Sequence, residues 1–275
     1  LALGISSKIN AFRRSTRIVV GPAGLVRMSE VLAKTRVAKM WGREFGPVPV
    51  RMKALDGAPL AIRPGTSDLQ DALEFYTLGL YLPDPRAGLS EPRQIVELGC
   101  NIGAALTALG VRFPTAALLG VEPAAESIAL ARRNTAIFGS RCTLVQSAIW
   151  DTPTELVVDR GGGKGAYGFR VRPRLPADPP EEAAIPALDI DSLLRRYMPD
   201  GPIDHMLLNI EGTERRVLEA GGEWLGRVRS LNIESQPEYG FGAEECMALL
   251  TEHGFDCERL PRFPKFISAV RAGRP

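Results

Sequence analysis

The sequence predicts a doubly wound, mostly parallel α/β sheet of seven strands, with an N-terminal helical extension and an inserted β-hairpin. Three observations lead there. From residue 94 onward, short apolar runs alternate with longer stretches whose apolar positions recur at helical spacing. Gly99 and Gly103 bracket a tight turn joining the first of these runs to the first of these helices. Near the far end, residues 255–260 and 265–270 are two strand-like runs with no helix between them, so the sheet closes with an antiparallel strand.

The elements follow in order. Pro22 opens a helix to about Trp41, with Leu25, Met28 and Leu32 on a mixed apolar face. Residues 47–63 read as a hairpin around Asp56 and Gly57, since Asp-Gly between apolar runs is a turn signal. A helix over about 69–80 follows, with Ser67 or Asp68 placed to cap it. The Pro-rich stretch 83–92 is a linker. The core strands are then 94–98, 117–121, 142–146, 205–210 and 228–233. Helices over about 103–112 and from about 124 to Phe138 separate the first three. The alternation breaks at 152–187, where two strand-like runs flank a glycine-rich turn, giving the inserted hairpin. Asp191 or Ser192 is placed to cap a helix beginning at Ile190. Val217, Leu218, Gly221 and Leu225 lie at helical spacing in one helix, and another runs over about 243–252. The division expected is a basic helical arm over 1–46 and a catalytic domain over 47–275.

The 275 residues are 45% hydrophobic and 24% charged, an ordinary globular balance, and no apolar run approaches a membrane span. Cys100, Cys142, Cys246 and Cys257 form no Cys-x-x-Cys pair and read as reduced thiols, which points to the cytoplasm. Two histidines are too few for a His-rich metal site, and none is expected. The net charge of +2 hides an asymmetry: residues 1–53 hold eleven Lys/Arg against two Asp/Glu, +9, leaving −7 for the rest. That arm suits peripheral contact with an anionic surface, or a merely solvated helix face. No aromatic platform accompanies it, so nucleic acid is not indicated.

Glu97 stands inside the first core run, just before the glycine turn. At the carboxyl end of a parallel strand a small molecule can lie against bare backbone, and a Cβ at either glycine is expected to push it away. The spacing Gly-x-x-x-Gly is not the dinucleotide fingerprint Gly-x-Gly-x-x-Gly, and no Gly-Lys-Ser/Thr follows. Glu122 comes nineteen residues after Gly103, directly after the second core strand. A carboxylate there can accept from both hydroxyls of a ribose, and it also suits the dipole of the next helix. Ser147 and Ala148 follow the third strand, where a nucleoside-binding sheet meets the base; Trp150 is placed either to stack there or to pack under the hairpin.

The motif order resembles the FkbM-type family of class I methyltransferases, which use S-adenosylmethionine (SAM). The resemblance rests on Val-Glu-Leu-Gly-Cys-Asn-Ile-Gly at 96–103, Val-Glu-Pro at 121–123, Ile-Asp-Ser-Leu at 190–193 and Asn-Ile-Glu-Gly-Thr-Glu at 209–214. Leu-Asn-Ile-Glu at 231–234 and Arg-Pro-Gly-Thr-Ser-Asp at 63–68 extend it over about residues 60–260. It implies a Rossmann-like fold, SAM as cofactor, and methyl transfer to a hydroxyl of a small molecule such as a sugar or polyketide-derived ring. It places Glu97, Gly99, Asn101, Gly103, Glu122, Ser147 and Ala148 around the cofactor. Two departures stand out: Leu207 where the family has Lys, and Asn209 where it has Asp.

A hydroxyl is a poor nucleophile until a base takes its proton. His205 falls at the wrong end of its strand and His253 ends a late helix, which leaves carboxylates. Glu211 is the first choice as base or substrate orienter and Glu234 the second, with Asn209 beside them; each also suits a capping or ion-pair role. Replacing Gly99 by Val is expected to abolish cofactor binding and spare the fold. Two other classes stay open: a SAM-binding scaffold without turnover, given Leu207 and Asn209, and a nicotinamide-dependent oxidoreductase, which shares the acid at 122.

Overall fold

Strands buried on both faces belong in the middle of a parallel sheet, and β3 (Gln94–Leu98), β4 (Ala117–Glu122) and β10 (Ile203–Leu208) have this pattern, with every residue after the first of each buried. A computed structural model describes residues 18–159, 170–178, 184–260 and 263–273. Within it these strands join β5 (Cys142–Gln146), β11 (Val228–Glu234), β12 (Phe255–Leu260) and β13 (Phe263–Arg271) in a seven-stranded sheet ordered β12-β13-β11-β10-β3-β4-β5. β11, β10, β3, β4 and β5 run parallel, while β13 is antiparallel to both its neighbours. This is a Rossmann-like, doubly wound α/β fold with an antiparallel strand at one side. The chain winds outward from β3 in one direction, then returns to β10 on the other side. The carboxyl ends of β3 and β10 therefore form the switch point where a crevice opens. In register, Leu98 lies opposite both Leu208 and Val121.

Helices α3 (Ala104–Arg112) and α4 (Ala125–Thr135) follow β3 and β4. The N-terminal elements pack on them. Helix α1 (Gly21–Trp41) lies on the hairpin β1 (Val48–Arg51) and β2 (Pro59–Ile62), and Met28, Val31, Val50 and Ile62 share one apolar cluster with Ile102 and Ala108. Helix α2 (Asp68–Leu78) completes this layer: Tyr76 bonds the Ala104 carbonyl at 2.9 Å. Among the described residues no helix is long and apolar enough to cross a membrane.

Four local expectations are corrected. Ser67 makes no capping bond, and Asp68 is drawn instead to Arg63. The helix α5 (Ile190–Tyr197) is capped by Asp189, two residues before the acid expected, through the Ser192 N–H at 2.7 Å. The stretch from Val217 to Leu225 is two helices, α6 (Glu214–Ala220) and α7 (Glu223–Arg227). Gly221 and Gly222, both at positive φ, break it, and Asp191 takes the N–H groups of Glu223 and Trp224. The inserted hairpin is part of a second sheet ordered β6-β9-β7-β8, from β6 (Ala148–Ile149), β7 (Thr154–Asp159), β8 (Arg170–Pro173) and β9 (Ile185–Leu188). Its glycine-rich turn at 161–165 lies outside the described residues.

Candidate active site

The turn after β3 is built by close approach. Gly99 has φ +84°, and a Cβ on it would stand 1.8 Å from the Asn209 carbonyl oxygen. That oxygen is protein, so the glycine is required where the exits of β3 and β10 touch, with or without a ligand. A Val there cannot spare the fold. Gly103, at φ +73°, is likewise closed in by Thr135 and Ala131 of α4. Asn101 between them has φ +43°, an uncommon conformation for a residue with a Cβ.

Glu122 ends β4 and faces this turn. One carboxylate oxygen accepts the Asn101 N–H at 3.0 Å and the other accepts the Ala124 N–H at 2.9 Å. A carboxylate has about four acceptor sites, so one lone pair on each oxygen is left toward the crevice. Burial pushes this carboxyl up to about 7, against the opposing effects of the two N–H bonds and the Arg63 charge. Glu97 is turned the other way within the same region, accepting the Leu106 N–H in the first turn of α3 at 3.1 Å. Burial raises its pKa well above the ordinary carboxyl value. The Ser147 hydroxyl lies 2.9 Å from the carbonyls of Ala148 and Pro186, and tethers the end of β5 to the second sheet.

The other half of the site comes from β10 and β11. The Asn209 amide donates to Glu234 at 3.1 Å. An Asp at 209 would set two carboxylates against each other at that distance, so the neutral amide fits the neighbour this chain has. Glu211 stands at φ +51°, half-buried, and its pKa is raised by burial and then by the nearby Glu238 charge. The turn that presents it is held by Glu214, fully buried, whose carboxylate accepts the N–H groups of Ile210 and Gly212. Glu214, the first residue of α6, thus braces the loop before its own helix, while Glu211 borders the crevice.

These residues line one cavity of about 340 Å³. Glu97, Gly99, Asn101, Glu122, Ser147, Ala148, Asn209, Glu211 and Glu234 all border it, so of the predicted site residues only Gly103 lies outside its wall. Leu207 is buried and borders it too. Six acids border the cavity, with Asp71 and Glu238 added to the four predicted, and no Lys, Arg or His does so among the described residues. Trp150 is not in the wall; it packs on the second sheet's cluster, with the Arg216 guanidinium 4.4 Å over its ring. His205 is buried between Ser230 and the Tyr81 carbonyl and is pushed down to about 4 by burial, a neutral core residue. His253 bonds the Leu218 carbonyl.

Sequence reasoning missed the residues that brace the turn. Arg63 makes a two-pronged ion pair with buried Asp68, at 2.8 and 2.9 Å, and reaches the Asn101 side-chain oxygen at 2.7 Å. Asp71 takes the Asn101 amide at 3.1 Å. Ser127 donates to the same Asn101 oxygen. The Arg-Pro-Gly-Thr-Ser-Asp run sets two opposite charges five residues apart, but nothing local shows which turn they brace.

No family model matches this sequence, and no curated protein does. Among solved structures the chain is similar to a putative O-methyltransferase from Klebsiella pneumoniae at 12% identity, covering 96% of this chain and 97% of that one, TM-score 0.43. It is similar to a precorrin-6y C5,15-methyltransferase from Geobacter metallireducens GS-15 at 11% identity, over 68% and 84% of the two chains, TM-score 0.41. It is also similar to a putative rRNA-methylase from Clostridium thermocellum at 11% identity, over 66% and 87%, TM-score 0.40. The fold assignment itself rests on the strand order and the switch point between β3 and β10.

Proposed function

We propose that this chain is a SAM-dependent O-methyltransferase of the FkbM type, acting on a hydroxyl of a small molecule such as a sugar or polyketide-derived ring. The observation that carries the reading is the acid-only cavity at the switch point. SAM presents a sulfonium, an ammonium and a ribose. A cavity with six acids and, among the described residues, no Lys, Arg or His in its wall favours that cation, and it disfavours the pyrophosphate of a nicotinamide dinucleotide. The residues fit the group: the two remaining lone pairs of Glu122 match two vicinal hydroxyls, and the volume lies in the range of small-molecule sites.

When bound, SAM supplies a methyl group on a positively charged sulfur. The protein's part is to hold the acceptor oxygen in line with that carbon and to take its proton. Glu211 suits the second task. Burial and the Glu238 charge raise its proton affinity, which makes it a stronger base than an exposed glutamate. Glu234, held by the Asn209 amide, suits the first, as an acceptor for the hydroxyl that reacts.

Calorimetry with SAM, S-adenosylhomocysteine and NAD tests the cofactor. Binding of the first two and not of NAD is expected; NAD binding in preference to SAM would sink the reading. Glu211→Gln is expected to keep SAM affinity within about twofold and lower turnover on hydroxylated acceptors by roughly a hundredfold or more. Undiminished turnover in that variant rules Glu211 out as the base.

A further inference from the structure

Arg63 does not border the cavity, yet two of its partners, Asn101 and Ser127, do. It leaves the end of β2 and makes five hydrogen bonds: its N–H, Nε and Nη2 to Asp68, Nη2 to the Asn101 oxygen, and Nη1 to Ser127. Asn101 in turn gives its backbone N–H to Glu122. One guanidinium therefore ties the N-terminal hairpin and α2 to the turn after β3 and to the end of β4.

We propose that Arg63 is a positioning residue of the cofactor site: it holds Asn101 in its left-handed conformation and, through Asn101 and its own charge, keeps Glu122 an ionised acceptor for two ribose hydroxyls. The proposal rests on the SAM reading for its purpose but not for its geometry. The groups around the Glu122 carboxyl make the direction of the effect definite. Arg63 from the end of β2 acts on it as a cation and lowers the proton affinity. Glu126 from α4 acts the opposite way, and the mostly buried Glu97 of β3 lies within electrostatic reach. Asp68 and Asp71 of α2 face Arg63 and Asn101. Without the guanidinium, acids are left facing acids, and Glu122 takes up its proton at higher pH. SAM needs the carboxylate, so its affinity then drops near neutral pH and recovers in alkali.

The experiment has a ligand-free arm and a ligand arm, both on the full chain. In the first, the Glu122 carboxyl is titrated by carbon-13 NMR, its resonance assigned by its loss in Glu122→Gln. Arg63→Gln is expected to raise the midpoint by about half a unit or more, and Arg63→Lys to leave it near the wild-type value. An unmoved midpoint in Arg63→Gln overturns the proposal. Because that variant strands the buried Asp68 carboxylate, Arg63→Gln with Asp68→Asn is made alongside, and the same rise is expected in it. In the second arm, SAM affinity is measured from pH 6 to 9. For a half-unit rise, Arg63→Gln is expected to bind about twofold more weakly than wild type at pH 7 and about threefold at pH 6, and to converge with it at pH 9. A loss of equal size at every pH is what a merely structural role gives, and it also overturns the proposal. If the midpoint moves while no protein binds SAM at any pH, the cofactor reading fails and the role of Arg63 stands.

Discussion

At Gly99 two requirements compete for one position, and the tighter decides what a mutation does. The Asn209 carbonyl oxygen lies where the smallest side chain would begin, and φ +84° is itself unfavourable for any residue with a Cβ. Gly99→Ala is therefore expected to destabilise the protein by about 3 kcal/mol or more, read as a drop in the urea midpoint, because backbone rather than a flexible side chain must move. An unchanged midpoint would show that β3 and β10 separate at no cost. Glu122→Gln is the cleaner test of the cofactor. The amide oxygen can still accept one N–H, while the NH2 group meets a second donor, so modest destabilisation is expected together with at least a tenfold loss of SAM affinity. Glu97 is an acid of another kind. Burial favours its neutral form, and its one oxygen bond goes to the Leu106 N–H. Glu97→Gln should leave stability at pH 7 unchanged or raised, whereas Glu97→Leu should cost about 1–2 kcal/mol by orphaning that N–H.

At the scale of elements, the acids decide where helices begin. Asp189 starts α5 and Asp191 starts α7, each by accepting N–H groups that have no partner within the helix. Asp191 is the informative one, since it lies on α5 and caps a helix more than thirty residues later. A Cβ on Gly222 would stand 2.3 Å from its carboxylate, which is why the break between α6 and α7 carries glycine there. Asp191→Ala is expected to lower stability by about 1–2 kcal/mol in chemical denaturation and to leave SAM affinity unchanged, because α7 is outside the cavity wall. A loss of SAM affinity in that variant would mean that the α6–α7 break is coupled to the site.

At the scale of the whole molecule, buried acids set the response to pH. Glu122 and Glu214 are both pushed from 4.5 up to about 7, and Glu97 and Glu211 are raised as well, burial being the first cause in each. Each binds its proton more tightly in the folded chain than in the unfolded one. For Glu122 and Glu214 that contribution is fully present below the unfolded value and is lost as pH rises through about 4.5 to 7, on the order of 3 kcal/mol for a carboxyl shifted that far, and Glu97 and Glu211 act with the same sign. His205, pushed down from 6.5 to about 4 by burial, works in the opposite sense, as do carboxylates held low by their partners, such as Asp178 beside Arg172. Thermal melts of the ligand-free protein are expected to peak in mildly acid buffer, near pH 5 to 6, and saturating SAM should move the peak upward by favouring the Glu122 carboxylate. A ligand-free optimum at pH 8 would contradict this.

The seven core strands were legible in the sequence because each is a short apolar run between turn residues, and that pattern follows from burial on both faces of a parallel sheet. So were Gly99, Glu122, Asn209 and Glu211, because they directly follow strands whose carboxyl ends converge. Tertiary structure alone decided the rest. It made Gly99 answer to the Asn209 backbone, turned Glu97 onto α3 and turned Glu214 back onto the loop before α6. It also brought Arg63, thirty-eight positions away in sequence, onto Asn101. Local periodicity reports how deeply a residue is buried and on which face. The partner a buried charge finds is set by which loops meet in space, and that depends on packing between elements far apart in the chain.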